Sequence, residues 1–109
     1  MGKRQPAGDN VRGRAFFVDI DGTLERKLLG FELPVKASVE GIRELKRRGA
    51  IVFLWSVGGA DHARTAARNA GIEALCDGFL PKPHVYVDDK SVSRWEDCER
   101  WKPSRLRKL

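Results

Sequence analysis

Six side chains in this 109-residue sequence have the types and placement to handle a phosphoryl group: Asp19, Asp21, Ser56, Lys82, Asp88 and Asp89. Each stands at, or just beyond, the end of an apolar run. Ala15-Phe16-Phe17-Val18 leads into Asp19-Ile20-Asp21-Gly22, Ala50 to Trp55 leads into Ser56, Gly78-Phe79-Leu80 precedes Pro81-Lys82-Pro83, and His84 to Val87 leads into Asp88-Asp89. Four carboxylates gathered in one place cannot all stay ionised without compensation, because each raises the proton affinity of the others. A divalent cation is the natural remedy. Oxygen ligands without nearby thiolates or paired histidines favour magnesium, which completes its octahedron with water and phosphate oxygens. The expected metal carboxylates are therefore Asp19, Asp21, Asp88 and Asp89, with Mg2+ as the cofactor. A hydroxyl from Ser56 and an ammonium from Lys82 are the donors that the spread negative charge of a transferring phosphoryl group requires.

The elements that must position these groups follow from hydrophobic periodicity. The continuous apolar runs at 15–18 and 50–55 read as strands buried on both faces. Val35, Val39, Ile42 and Leu45 recur at helical spacing between Pro34 and Gly49, which predicts an amphipathic helix. A second helix is expected from Asp61 to Ala70, rich in alanine and stopped by Gly71. Shorter strands are expected at 78–80 and 84–87. Residues between Gly22 and the first helix read as a loop. Alternating strands and helices imply a parallel sheet with its ligand site outside the carboxyl ends of the strands.

Phe17-Val18-Asp19-Ile20-Asp21-Gly22-Thr23-Leu24 resembles the first motif of the haloacid dehalogenase-like superfamily, an apolar strand followed by D-x-D-G-T. Leu54-Trp55-Ser56, Lys82 and Val87-Asp88-Asp89 resemble its second, third and fourth motifs in order, so the resemblance spans roughly residues 15 to 93. It implies a three-layer, Rossmann-like α/β fold with a small parallel sheet, and the length leaves no room for a cap domain. It also implies that Asp19 is the nucleophile of an aspartyl-phosphate reaction, that Asp21 is the general acid and base, that Ser56 holds the transferring phosphoryl oxygens, and that Lys82 neutralises the charge of nucleophile and phosphate. Asp88 and Asp89 would complete the magnesium site, Asp89 directly. The implied activity is magnesium-dependent phosphomonoester hydrolysis, on an open site suited to a bulky substrate such as a nucleic-acid end or a phosphoprotein. The alternative is a catalytically weak binding or regulatory module. A receiver domain gathers similar groups, but its acidic pair comes early, whereas Asp88-Asp89 comes last.

Length and charge bound the rest. A chain of 109 residues is one domain. The expected division is a flexible basic segment at 1–14, an α/β domain at 15–95 and a basic tail at 96–109. Net charge is +6, with much of the excess near the two ends, so nucleic acid is one possible partner and solubility the plainer explanation. No stretch is apolar enough for a membrane span, and the expected location is cytoplasmic. Cys76 and Cys98 have no CxxC context and are expected to be reduced thiols. His62 and His84 are expected to be surface or loop residues, because neither has a second histidine at ligand spacing.

Overall fold

In the computed structural model, which describes residues 10–109, the apolar runs at 15–18 and 50–55 form adjacent parallel strands. Strand β1 (Ala15–Asp19) pairs in register with β4 (Ile51–Ser56), and β4 pairs with β5 (Gly78–Pro81), giving a three-stranded parallel sheet of order β1-β4-β5. Between β1 and the first helix, β2 (Glu25–Leu28) and β3 (Phe31–Pro34) make an antiparallel hairpin. Helix α1 (Lys36–Arg47) links the hairpin to β4, and α2 (Ala60–Asn69) links β4 to β5. A short α3 (Pro103–Leu106) closes the chain.

The hairpin replaces the loop expected after Gly22. Its connection is the two-residue turn Leu29-Gly30, with φ of 53° and 81°. Positive φ at both central residues is the geometry whose twist matches paired strands, and glycine at the second position removes half of its steric cost.

The expected three layers are two. Val18, Val52 and Leu54 point into a core shared with Ile42 and Leu45 of α1 and Ala63, Ala66 and Ala67 of α2, so both helices cover the same face. The alternate residues point the other way: Phe17 is 46% exposed, Ile51 37% and Leu80 36%. The Phe17 ring contacts Phe53 and Trp55, each at 5.0 Å between centroids, and these three aromatic rings form the open face. A run that is apolar at every position reads as buried on both sides, but two long helices suffice to cover only one.

Three further expectations change. His84 to Val87 forms no strand; Val85 is 78% and Val87 96% exposed. Pro81 and Pro83 flank the exit from β5, and neither has an N–H to continue a ladder. The C-terminal residues form part of the folded core: Trp101 packs edge-on against Phe16 at 5.0 Å, and Leu106 is buried in the core. At the other end, residues 1–9 of the expected flexible segment lie outside the described residues, while Val11 is buried in the core and the Gly13 N–H donates to the Gly49 carbonyl. Among the described residues no helix is long and apolar enough to cross a membrane.

Candidate functional site

Register places the expected groups at one end of the sheet. Asp19 is the last residue of β1 and pairs with Trp55, so Ser56 extends one residue past it; Ser56 pairs with Pro81, and the Lys82 N–H donates to the Ser56 carbonyl at 2.9 Å. That ladder bond delivers Lys82 to the carboxyl edge. Its Nζ lies 2.8 Å from Asp19 Oδ1, with both side chains about one-third exposed (34% and 32%). The other carboxylate oxygen, Oδ2, accepts the Thr23 hydroxyl at 3.3 Å. One carboxylate is thus held by an ammonium on one oxygen and a hydroxyl on the other, while remaining accessible.

The turn after β1 is set by the Ile20 carbonyl, which accepts from the N–H groups of Thr23, Leu24 and Glu25. Burial of Ile20 and Leu24 fixes this turn in the core. Asp21 is left on the surface side, where its Oδ1 lies 3.3 Å from Nε2 of His62 on the first turn of α2. Ser56 is placed differently from the expectation of a phosphoryl donor. It is 1% exposed, and its Oγ accepts the Gly58 N–H at 3.0 Å, organising the turn that leads into α2.

Between the turn after β1, the hairpin and the start of α2 lies a cleft of about 610 Å³, lined by Asp21, Glu25, Arg26, Lys27, Glu32 and His62 among others. Four of these, Asp21, Glu25, Glu32 and His62, bring ligand atoms within 4.8 Å of one another and can hold a metal ion. Glu25 is 3% exposed. Its carboxyl is pushed above the usual carboxylate range, first by burial and then by the hydrogen bond and charge of Glu32, with Asp21 adding to the effect and His62 opposing it. Two carboxyl groups facing each other need either a shared proton or a cation.

Of the expected metal carboxylates, Asp21 alone belongs to this cluster. Asp19 is paired with Lys82 instead. Asp88 and Asp89 are exposed on the segment that forms no strand; the Asp88 carboxylate accepts the Lys90 N–H at 2.8 Å, a local turn. Glu25, Glu32 and His62 were not expected from sequence. His62 follows a strand and a Gly-Gly turn, the position at which the sheet presents its ligands, and that signal was available. The two glutamates become neighbours only once the hairpin forms, through the pairing of Glu25 with Pro34 and Lys27 with Glu32.

Comparison with known families corrects one expectation from the motifs. The model that matches, over residues 14–93, is Protein of unknown function (DUF705), and no haloacid dehalogenase-like model matches, so membership of that superfamily does not stand. No curated protein matches the chain. No solved structure matches it either. The matched segment runs from the start of β1 past Lys82 and Asp89, covering both the Asp19–Lys82 pair and the acidic cleft, and the chain belongs to the DUF705 family of proteins of unknown function.

Proposed function

We propose that this protein is a phosphomonoester hydrolase that works through an aspartyl-phosphate on Asp19. The observation that carries the reading is the Lys82–Asp19 contact of 2.8 Å at the carboxyl edge of the parallel sheet. A carboxylate nucleophile divides a difficult displacement into two easier ones. Here Asp19 attacks phosphorus, the ester oxygen leaves with a proton, and water then cleaves the acyl phosphate to regenerate the carboxylate and inorganic phosphate. Lys82 reduces the repulsion between an anionic nucleophile and an anionic ester, and it remains beside the phosphoryl oxygens as charge builds on them. Thr23 orients the carboxylate through Oδ2. Asp21, exposed in the cleft and hydrogen-bonded to His62, is the group that gives a proton to the leaving oxygen and takes one from water.

The acidic cleft fits a divalent cation, because the buried carboxyl of Glu25 has another carboxyl, that of Glu32, as its hydrogen-bond partner. Magnesium requires one or two carboxylates, which Glu25 and Glu32 supply, and this leaves Asp21 and His62 free for proton transfer. When bound, the cation supplies positive charge for phosphate oxygens. Arg26 and Lys27 at the same cleft support an extended anionic substrate, such as a nucleic-acid end or a phosphoprotein, over a small metabolite.

The test is phosphate release from an aryl phosphate, with and without magnesium, by wild-type and Asp19→Asn proteins. Metal-dependent turnover that disappears in the variant is the expected result. The second reading, a binding or regulatory module with weak turnover, is favoured by the separation of Asp88 and Asp89 from the cleft. Magnesium binding without turnover on a broad panel of phosphomonoesters would replace the first reading by the second.

A further inference from the structure

The C-terminal segment reaches the back of the Asp19 turn. Arg107, the residue that ends α3, donates from Nε to Ser38 Oγ at 2.8 Å and from one terminal nitrogen to the carbonyls of Thr23 at 3.0 Å and Gly22 at 3.4 Å. The Ser38 hydroxyl, fully buried on α1, itself donates to the Thr23 carbonyl at 2.6 Å. Thr23 is the residue whose hydroxyl holds Asp19 Oδ2. One guanidinium therefore fixes, directly and through Ser38, the peptide that orients the nucleophile. A planar fork with donors at fixed angles suits this task, whereas an ammonium is a point charge.

The placement of Arg107 is itself specified by packing. Glu99 pairs with Arg14 at 3.2 Å, Trp101 packs on Phe16, and Leu106 is buried against α1. The approach to α1 is so close that a Cβ on Gly41 would stand 2.3 Å from the Leu106 carbonyl oxygen. Glycine is required there by the tail, because any side chain would push Leu106 and the adjacent Arg107 outward.

We propose that Arg107 is a positioning residue for Asp19, and that the segment from Glu99 to Leu109 is a latch that holds the catalytic turn in its working geometry. The role in catalysis rests on the hydrolase reading; the latch itself does not. It accounts for two of the basic C-terminal residues differently from a polyanion-binding tail, since Arg107 donates to carbonyls of the site and Arg105 lies over the Trp101 ring at 4.2 Å.

The experiment compares wild-type, Arg107→Ala, Arg107→Lys and Gly41→Ala proteins by amide hydrogen exchange and by steady-state kinetics on an aryl phosphate. In Arg107→Ala the amides of Gly22 to Glu25 should exchange at least about tenfold faster while those of Val52 and Leu54 keep wild-type rates, a local change that a global loss of stability would not produce. Gly41→Ala, which displaces the tail without touching the turn, should show the same local pattern. The value of kcat should fall by about 10- to 100-fold with KM within about threefold, the size expected from misplacing a reacting group. Arg107→Lys should recover part of kcat. Unchanged exchange at 22–25, or uniform acceleration that includes β4, would overturn the latch. Absence of turnover in the wild-type protein would overturn the hydrolase reading alone, since exchange still decides whether Arg107 holds the turn. Wild-type turnover with kcat unaltered in Arg107→Ala would overturn the positioning role.

Discussion

Lys82 Nζ lies 2.8 Å from Asp19 Oδ1, and each side chain is about one-third exposed, at 34% and 32%. An ion pair so open to water contributes less than about 1 kcal/mol to stability. A charge beside a reacting oxygen contributes far more to a barrier. If Asp19 is the nucleophile proposed above, Lys82→Ala should lower kcat by about 100-fold or more while shifting the thermal midpoint by a few degrees at most. Parallel melting curves and phosphate-release assays check the split; a loss of folding in proportion to the loss of activity would mark the pair as structural.

Glu25 carries the pH dependence of the cleft. Its folded-state pKa is raised above the ordinary carboxylate value of 4.5, mainly by burial and then by Glu32. The folded state then holds a proton that the unfolded state releases first, so stability without a cation declines as pH rises from about 4.5 through the raised value. A cation favours the ionised form and opposes that decline. Added magnesium should accordingly raise the melting temperature more at pH 7 than at pH 4.5, and Glu25→Gln should abolish most of the difference. Calorimetric titration of wild type and variant gives the affinity directly, with at least about a tenfold loss expected in Glu25→Gln.

Asp77 ties three elements together. One carboxylate oxygen accepts Lys46 Nζ from the end of α1 at 2.6 Å and the Val52 N–H of β4 at 2.7 Å, just before β5 begins. These bonds, that of Lys46 foremost, hold its pKa below the ordinary 3.8. A depressed carboxylate contributes stability above its ordinary value, and that contribution disappears as pH falls through the lowered one. Asp77→Ala also leaves the buried Val52 N–H without this partner and should cost about 2 kcal/mol in urea unfolding at pH 7. Asp77→Asn keeps an acceptor for Val52 and should cost about 1 kcal/mol or less, the range for an exposed ion pair. The gap between wild type and Asp77→Ala should narrow as pH is lowered from 4 towards 2.

The two thiols should react unequally. Burial, with the neighbouring charge of Asp77, pushes Cys76 up to about 11, whereas Cys98 is exposed on the surface. The thiolate is the reactive species, so an aromatic disulfide reagent at pH 8 should modify Cys98 promptly and Cys76 at least about tenfold more slowly. Mass mapping of the first modified peptide identifies the site, and early modification at Cys76 would contradict the packing around it.

The apolar runs ending on Asp19 and Ser56, and the short run before Lys82, determined the parallel sheet and the edge at which these residues meet, because a strand both buries its side chains and sends its C-terminal residue to one end. The helical spacing of Val39, Ile42 and Leu45 likewise determined α1, whose apolar face lies in the core. Other features depended on contacts that no local pattern encodes. The apolar residues at 84–87 read as a short strand, but His84 to Val87 forms no strand, Val85 and Val87 stand exposed, and Asp88 and Asp89 are exposed with them. Trp101 and Leu106, spaced among charges, carried no periodic signal, and their place in the core was decided by Phe16 and by the surface that Gly41 leaves open. Glu25 and Glu32 meet only because a two-residue turn folds β2 onto β3, and His62 joins Asp21 only because α2 starts at the same edge. Residue type and order determined that Asp19, Ser56 and Lys82 reach the carboxyl edge of the sheet. Tertiary packing decided which of them face one another, because that depends on pairing partners and helix placement far apart in the chain.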